Sequence, residues 1–117
     1  MTAEVSGAPD APAGTGLVTV RAAVAPDGVT LVVSGDLDAG TMPVLAHRLA
    51  QVAAGCPGRL VFDLAEVTFI DCAATRLIAS AASLLPAGTR PVLRHPSPAV
   101  RRILALTDIA ATCDLDP

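Results

Sequence analysis

Four aspartates near the predicted ends of strands are the residues of this sequence best suited to chemistry. Asp36 and Asp38 follow one apolar run, Asp63 ends another, and Asp71 precedes an amphipathic stretch. Carboxylates gathered at strand ends are ligands for hard cations and can act as general acids or bases. A simpler interpretation is favoured, because Asp38 lies in a predicted turn and Asp71 is placed to cap the following helix.

No catalytic motif accompanies these carboxylates. The sequence has no glycine-rich phosphate loop, no nucleophile elbow and no paired histidines of a zinc protease. It contains no lysine, and His47 and His95 stand apart from each other and from the acids. A general acid–base pair needs two groups with separated pKa values. We therefore predict a protein that is not an enzyme and that holds no metal and no cofactor.

Composition favours one small cytoplasmic domain. The chain has 117 residues, 52% hydrophobic and 16% charged, which suffices for a single core. A net charge of −3 and the absence of Trp and Tyr argue against nucleic-acid partners. Cys56, Cys72 and Cys113 are odd in number and widely spaced, which is typical of a reducing compartment. No apolar stretch approaches the roughly 20 residues that a membrane span needs, so no membrane insertion is expected.

Hydrophobic periodicity predicts an α/β fold. Residues 1–16 are rich in Ala, Pro and Gly and are interpreted as a flexible tail, followed by one domain over 17–117. Strands are predicted over 17–24, 29–34, 60–64, 91–94 and 113–115, and helices begin near Thr41, Ala74 and Ser97. The order β-β-α-β-α-β-α-β requires parallel crossovers after the first hairpin. It predicts a mixed four- or five-stranded sheet with three or more helices mainly on one face.

Three segments, in order, resemble the STAS domain family (sulfate transporter and anti-sigma factor antagonist). The run Gly35-Asp36-Leu37-Asp38, followed by Thr41, is similar to the family's G-E-L-D…T segment at the end of the second strand. Residues 61–71 resemble its D-L-x-x-V-x-F-I-D strand and loop, and residues 97–107 resemble its late helix. The element order matches as well, so the resemblance covers about residues 17–116 and implies the STAS fold.

The resemblance also implies a function in bacterial transcription regulation by partner switching. Small stand-alone members bind an anti-sigma factor that is also a kinase, and phosphorylation of one serine in D-S-S-G turns them off. Here Asp71 is kept, but Cys72 and Ala73 occupy the serine positions and Ala74 the glycine position. We therefore expect a protein-binding module that resembles an anti-sigma factor antagonist and lacks the phosphoacceptor serine.

The family resemblance places the partner-binding surface on two loops that each follow a strand. Its predicted members are Asp36, Asp38, Thr41, Asp71, Cys72, Ala73, Thr75 and Arg76. The backbone N–H groups of residues 72–74 are expected to be unpaired and to offer a place for an anion or a partner carboxylate. Cys72 is interpreted as a small, inert residue; the alternative is a redox switch in which its oxidation imitates the missing phosphate.

Other functions remain open at this point. The chain could be a STAS subunit of a larger assembly, such as a lipid-transport ATPase or a signalling scaffold, whose members also often lack the phosphoserine. A small enzyme or ligand carrier that uses the carboxylates and Cys72 is a further alternative. The final strand, near Cys113, is expected at an exposed edge of the sheet, which offers a route to a weak homodimer.

Overall fold

The computed structural model describes residues 3–4, 18–55 and 57–116. Its six strands are β1 (Ala3–Glu4), β2 (Val18–Ala25), β3 (Gly28–Leu37), β4 (Leu60–Ile70), β5 (Val92–Arg94) and β6 (Asp114–Asp116). Its α-helices are α1 (Met42–Ala53), α2 (Cys72–Ser80) and α3 (Pro98–Ala105), and 3₁₀ helices cover Ala81–Leu84 and Ile109–Ala111. None of the helices in this part of the chain is long and apolar enough to cross a bilayer.

The strands form one mixed sheet whose spatial order follows the chain from β1 to β6. The first three strands pair antiparallel, and each pairing from β3 to β6 is parallel. A helix crosses over between each parallel pair, as parallel pairing requires. The predicted α/β fold with a mixed sheet is confirmed, and five of its strands lie within residues 18–116. The two-residue β1 extends the sheet within the segment predicted as a tail, the rest of which lies outside the described residues.

Alternation along the strands separates the core from the solvent. Val18, Val20 and Ala22 of β2 are buried, while Thr19 and Arg21 between them are exposed. Successive side chains of a strand point to opposite faces, so a period of two buries one face of the sheet under the helices. The buried face carries an aliphatic core with a single aromatic ring, that of Phe62. The sheet is therefore held by helices on one face.

Strand β4 is longer than its apolar pattern predicts. The sequence indicates a strand over 60–64, whereas pairing with β3 continues to Ile70. The apolar pattern does not show the second half of β4, because register shifts interrupt the pairing of β3 with β4. One of these shifts lies between Gly35 and Asp36. Gly35 has a φ of +104°, a region that side chains with a Cβ rarely adopt, so glycine suits this irregularity. The bulged strands bring the ends of β3 and β4 together.

The sheet ends at β6, which is an edge strand as predicted. Asp114 pairs with Arg90 at 2.8 Å, and Asp116 lies 3.4 Å from the Nε of Arg94. Arg90 also donates to the carbonyl oxygens of Ala111 and Cys113, which anchors the last turn before β6. Acidic side chains along an edge strand oppose its pairing with a second copy. The weak homodimer stays a prediction.

Candidate functional site

Two loops meet at the carboxyl ends of β3 and β4. Leu37 and Ile70 are neighbours across the parallel ladder, and the N–H of Asp71 donates to the carbonyl oxygen of Leu37 at 3.0 Å. Residues 36–41, which end β3 and lead into α1, therefore lie beside residues 71–76, which begin α2. We call these two segments together the switch-end surface. Both loops follow strands, as predicted, and the structure brings them together at one end of the sheet.

The first loop is organised by a buried threonine. The Oγ1 of Thr41 donates to the carbonyl oxygen of Asp36 at 2.6 Å and accepts from the N–H of Asp38 at 3.0 Å. The Oδ1 of Asp38 accepts from the N–H groups of Gly40 and Thr41 at 2.9 and 3.0 Å. Thr41 precedes α1 but makes no side-chain capping bond, and it is 1% exposed. Its side chain shapes the loop and is not available for contact with a partner.

The start of α2 is capped by Asp71. Its Oδ1 accepts from the N–H of Ala74 at 2.8 Å, which confirms the capping interpretation. The N–H of Ala74 is therefore already bonded, and the expectation of three free N–H groups at residues 72–74 is wrong for that residue. Thr75 is 2% exposed and donates to the carbonyl oxygen of Asp71 at 2.9 Å. The structure therefore places Thr75 inside the fold, where it cannot meet a partner.

The exposed residues of α2 are Cys72, Arg76 and, at its far end, Ser80, and Ala73 is half-buried beside Cys72. Residues four apart in a helix lie on the same face, so Cys72 and Arg76 form one stripe. Asp36 and Asp38 are half-buried on the adjoining loop. This surface thus carries two acidic groups on the loop and one basic group on α2.

Phe69 extends this surface and was missed by the sequence analysis. It lies next to Asp36 across the ladder and is 46% exposed, although it is one of only two aromatic residues in the chain. A groove of about 160 Å³ beside it is bounded by α3, including Arg102 and Ile103. The signal was an aromatic residue directly before the predicted loop, but the irregular register of β4 hid the direction in which it points.

The four aspartates do not converge. Thr68 donates its hydroxyl to Asp36, Asp38 and Asp71 bond to backbone N–H groups, and Asp63 lies in the middle of β4, away from the loops. Within residues 3–4, 18–55 and 57–116 no three His, Cys, Asp or Glu side chains are grouped to hold a metal ion. The carboxylates at this end of the sheet therefore serve the local structure of the loops.

The two described cysteines differ in environment. Cys72 is exposed at the start of α2, whereas Cys113 is buried. Burial raises the pKa of the Cys113 thiol, although the hydrogen bond to Thr112 and the charge of Arg90 oppose the shift. The Cys113 thiol is therefore protected and protonated at neutral pH. Cys56 lies outside the described residues, and the redox role of Cys72 stays a prediction.

Asp71→Ala is expected to lower the free energy of unfolding by about 1 kcal/mol, because it removes the capping bond to Ala74. Asp71→Ser is the matched control, since serine is also a good capping residue and should retain most of the stability. Urea denaturation followed by circular dichroism measures both. Equal midpoints for Asp71→Ala and the wild type would contradict the capping role.

Comparison with known proteins places these observations in a family. The STAS domain model matches residues 19–116. An anti-sigma factor antagonist from Mycobacterium paratuberculosis is similar in structure, with 30% identity, a TM-score of 0.75 and coverage of 91% of this chain and 88% of that one.

A second similar structure is that of the anti-sigma factor antagonist SpoIIAA in its unphosphorylated form. It is 16% identical, with a TM-score of 0.70 and coverage of 85% of this chain and 89% of that one. At this identity the similarity shows a shared fold. No curated protein sequence matches the chain. The region matched by the STAS domain model covers nearly the whole described domain, and its limits agree with the start of β2 and the end of β6. The chain belongs to the STAS domain family.

Proposed function

We propose that this protein is a non-catalytic antagonist of an anti-sigma factor, acting in the bacterial cytoplasm by binding a kinase-type anti-sigma factor through the switch-end surface. The observation that carries the proposal is the resemblance, at 30% identity over most of both chains, to an anti-sigma factor antagonist. The exposed side chains of the surface are consistent with this role. Loops held on a rigid sheet are a common place for recognition.

Phe69 is the proposed anchor of the interface. An exposed aromatic side chain surrounded by polar groups is typical of a protein-binding hot spot. Asp36 is its neighbour across the ladder and Arg102 lines the same groove, so the apolar contact would have charged groups beside it. Arg76 adds a cation on the exposed stripe of α2. A partner that presents a protruding apolar side chain together with acidic and basic groups fits this pattern.

Binding is proposed to be independent of phosphorylation. Cys72 and Ala73 provide no hydroxyl at the two serine positions. The nearest hydroxyl in α2, that of Thr75, is buried and bonded to a backbone carbonyl, so it is no substitute. A kinase that binds this protein therefore has no acceptor in the first turn of α2, and the complex should persist in the presence of ATP.

Phe69→Ala is expected to weaken binding about thirtyfold, the effect of losing a hot spot of about 2 kcal/mol. The measurement is isothermal titration calorimetry with the purified kinase-type anti-sigma factor encoded nearest to this protein. Arg76→Glu should also weaken binding, because it reverses a charge on the same surface. Leu84→Ala is the matched control, since Leu84 is 44% exposed and follows the far end of α2.

Unchanged affinity of both Phe69→Ala and Arg76→Glu would contradict the proposed surface. If the wild type binds no kinase-type anti-sigma factor but is recovered with a transporter or scaffold protein, the alternative function as a subunit of a larger assembly is correct. That alternative uses the same fold.

A further inference from the structure

An exposed apolar stripe runs along α3 and meets the groove beside Phe69. The stripe consists of Ala99, Ile103 and Leu106, and we call the stripe and the groove together the α3 groove. We propose that the α3 groove receives an amphipathic helix of the anti-sigma factor, with one carboxylate of that helix at Arg102. This inference rests on the proposed function and specifies which kind of partner segment binds beside the switch-end surface.

The stripe lies on the side of α3 that turns away from the core. Val100 and Leu104 are each 1% exposed, whereas Ala99 is exposed and Ile103 is half-buried. Residues three, four and seven positions apart share one face of a helix, so Ala99, Ile103 and Leu106 are aligned. Leu106 is 82% exposed, the largest fraction among the large hydrophobic side chains of the described residues. Its N–H donates to the carbonyl oxygen of Ile103 at 3.0 Å, so Leu106 continues the last turn of α3.

The groove lies between this stripe and the end of β4. It has a volume of about 160 Å³ and is lined by Phe69 and Ile70 on the strand and by Ala99 and Ile103 on the helix. The stripe from Ala99 to Leu106 is about 10 Å long at about 1.5 Å per residue, which matches two turns of a second helix. Helices pack through rows of side chains three and four residues apart, and an amphipathic helix is a common occupant of such grooves.

Arg102 supplies an unbalanced positive charge at the α3 groove. It lines the groove and is exposed. Arg59, Arg90 and Arg94 each pair with an aspartate, whereas Arg102 makes no ion pair within the described part of the chain. Helix α3 itself contains no acidic residue. A guanidinium forms strong, charge-assisted hydrogen bonds with a carboxylate, so the complement of this site is an acidic side chain of the partner.

Asp36 determines the direction in which the partner helix lies. It is the neighbour of Phe69 across the ladder, and its carboxylate accepts from the hydroxyl of Thr68. A partner carboxylate is therefore repelled near Asp36 and attracted near Arg102. Opposite charges at different places along an interface fix its register and exclude the reversed arrangement. The partner helix is expected to carry its acidic residue where it meets Arg102 and no acidic residue where it meets Asp36.

Continuity with the switch-end surface identifies the occupant. Asp36 belongs to that surface, and Phe69 joins it to the α3 groove. A protein bound to the switch-end surface thus meets the α3 groove within the same interface. Burial of Leu106 there would remove an exposed apolar side chain from water, which favours binding. A second copy of this chain is the competing occupant, and the experiment below separates the two.

The experiment is isothermal titration calorimetry of the full-length protein with the purified kinase-type anti-sigma factor encoded nearest to it. Arg102→Glu should weaken binding at least about tenfold, because it replaces an attractive charge pair by a repulsive one. Arg101→Glu is the matched control, since it makes the same change at a residue of α3 outside the groove lining. It should change the affinity less than about threefold, as is typical of a surface charge without a close partner.

Leu106→Ser tests the apolar half of the α3 groove. It should weaken binding at least about fivefold, because less apolar area is buried in the complex. Leu84→Ser is its matched control, since Leu84 is also exposed but follows the far end of α2. Circular dichroism of the variants is expected to match that of the wild type. Should Arg102→Glu fail to fold, Arg102→Gln removes the charge without reversing it and decides.

A charge exchange identifies the contact on the partner. Each exposed Asp or Glu on the amphipathic helices of the anti-sigma factor is replaced singly by Arg, and one of these proteins should bind Arg102→Glu more tightly than it binds the wild type.

Three results would overturn this inference and leave the proposed function standing. The first is wild-type affinity of Arg102→Glu or Leu106→Ser while Phe69→Ala still weakens binding. The second is the absence of any charge exchange that restores binding. The third is a dimer of the chain alone, observed by sedimentation, that Leu106→Ser dissociates. Failure of the wild type to bind any kinase-type anti-sigma factor would overturn both proposals.

Discussion

Phe62→Ala is expected to lower the free energy of unfolding by about 3–5 kcal/mol, as removal of a fully buried aromatic ring does in other cores. The ring is 0% exposed and lies at the centre of the sheet, where Phe62 is aligned with Leu31 on β3 and Leu93 on β5. A domain of this size has only about 5–15 kcal/mol of stability in total. The variant should therefore unfold at a much lower urea concentration than the wild type.

Phe69→Ala is the matched control for this measurement. It makes the same substitution on the same strand, but Phe69 is 46% exposed and its removal leaves no void in the core. We expect a loss of less than about 1 kcal/mol, the range typical of surface substitutions. Equal losses for the two variants would show that the interior is not centred on Phe62.

Cys72→Ser is expected to turn a protein without a phosphoacceptor into a substrate for the kinase-type anti-sigma factor that binds it. This expectation rests on the proposed function. Cys72 is exposed at the first residue of α2, so a serine hydroxyl there would be accessible to a bound kinase. Incubation with the kinase and ATP should add one phosphate to the variant and none to the wild type, as measured by intact-protein mass spectrometry.

Phosphorylation of the Cys72→Ser variant should also weaken its complex. A phosphate carries nearly two negative charges and would stand close to Asp71 and to the acidic loop at Asp36. Ala73→Ser is the control, because it places a hydroxyl one residue further along α2 at a half-buried position. Phosphate on the wild type at residues 72–75, or none on Cys72→Ser in a stable complex with the kinase, would contradict this interpretation.

The elements and their order follow from the sequence because periodicity reports burial directly. The alternation over β2 and the caps at Asp71 and Ser97 are local signals, and both aspartate and serine accept from the third residue of their helix in the structure. The meeting of the two loops was also predictable, since parallel neighbouring strands end at the same edge. These features can be predicted from residues that are close in sequence or from a rule of sheet topology.

The direction and burial of individual side chains were harder to predict. A register shift reverses the alternation that identifies a buried face, and for this reason the direction of Phe69 was not seen. Thr41 and Thr75 are polar in type, yet both are buried because their hydroxyls bond to backbone carbonyl oxygens. Arg48 on α1 is also buried, although arginine is a residue type that is mostly exposed. Such placements depend on tertiary contacts that no local pattern contains.

The agreement between strand order and chain order has a consequence for how the domain assembles. Each strand after the first pairs with the one synthesised just before it, so no pairing has to wait for a distant segment. Loop closure costs less for these pairings than it would for pairings that skip a strand, and a smaller sequence separation between contacting residues speeds folding. We expect the β2–β3 hairpin to form first and each later strand to join the open edge as it leaves the ribosome, with β6 completing the domain.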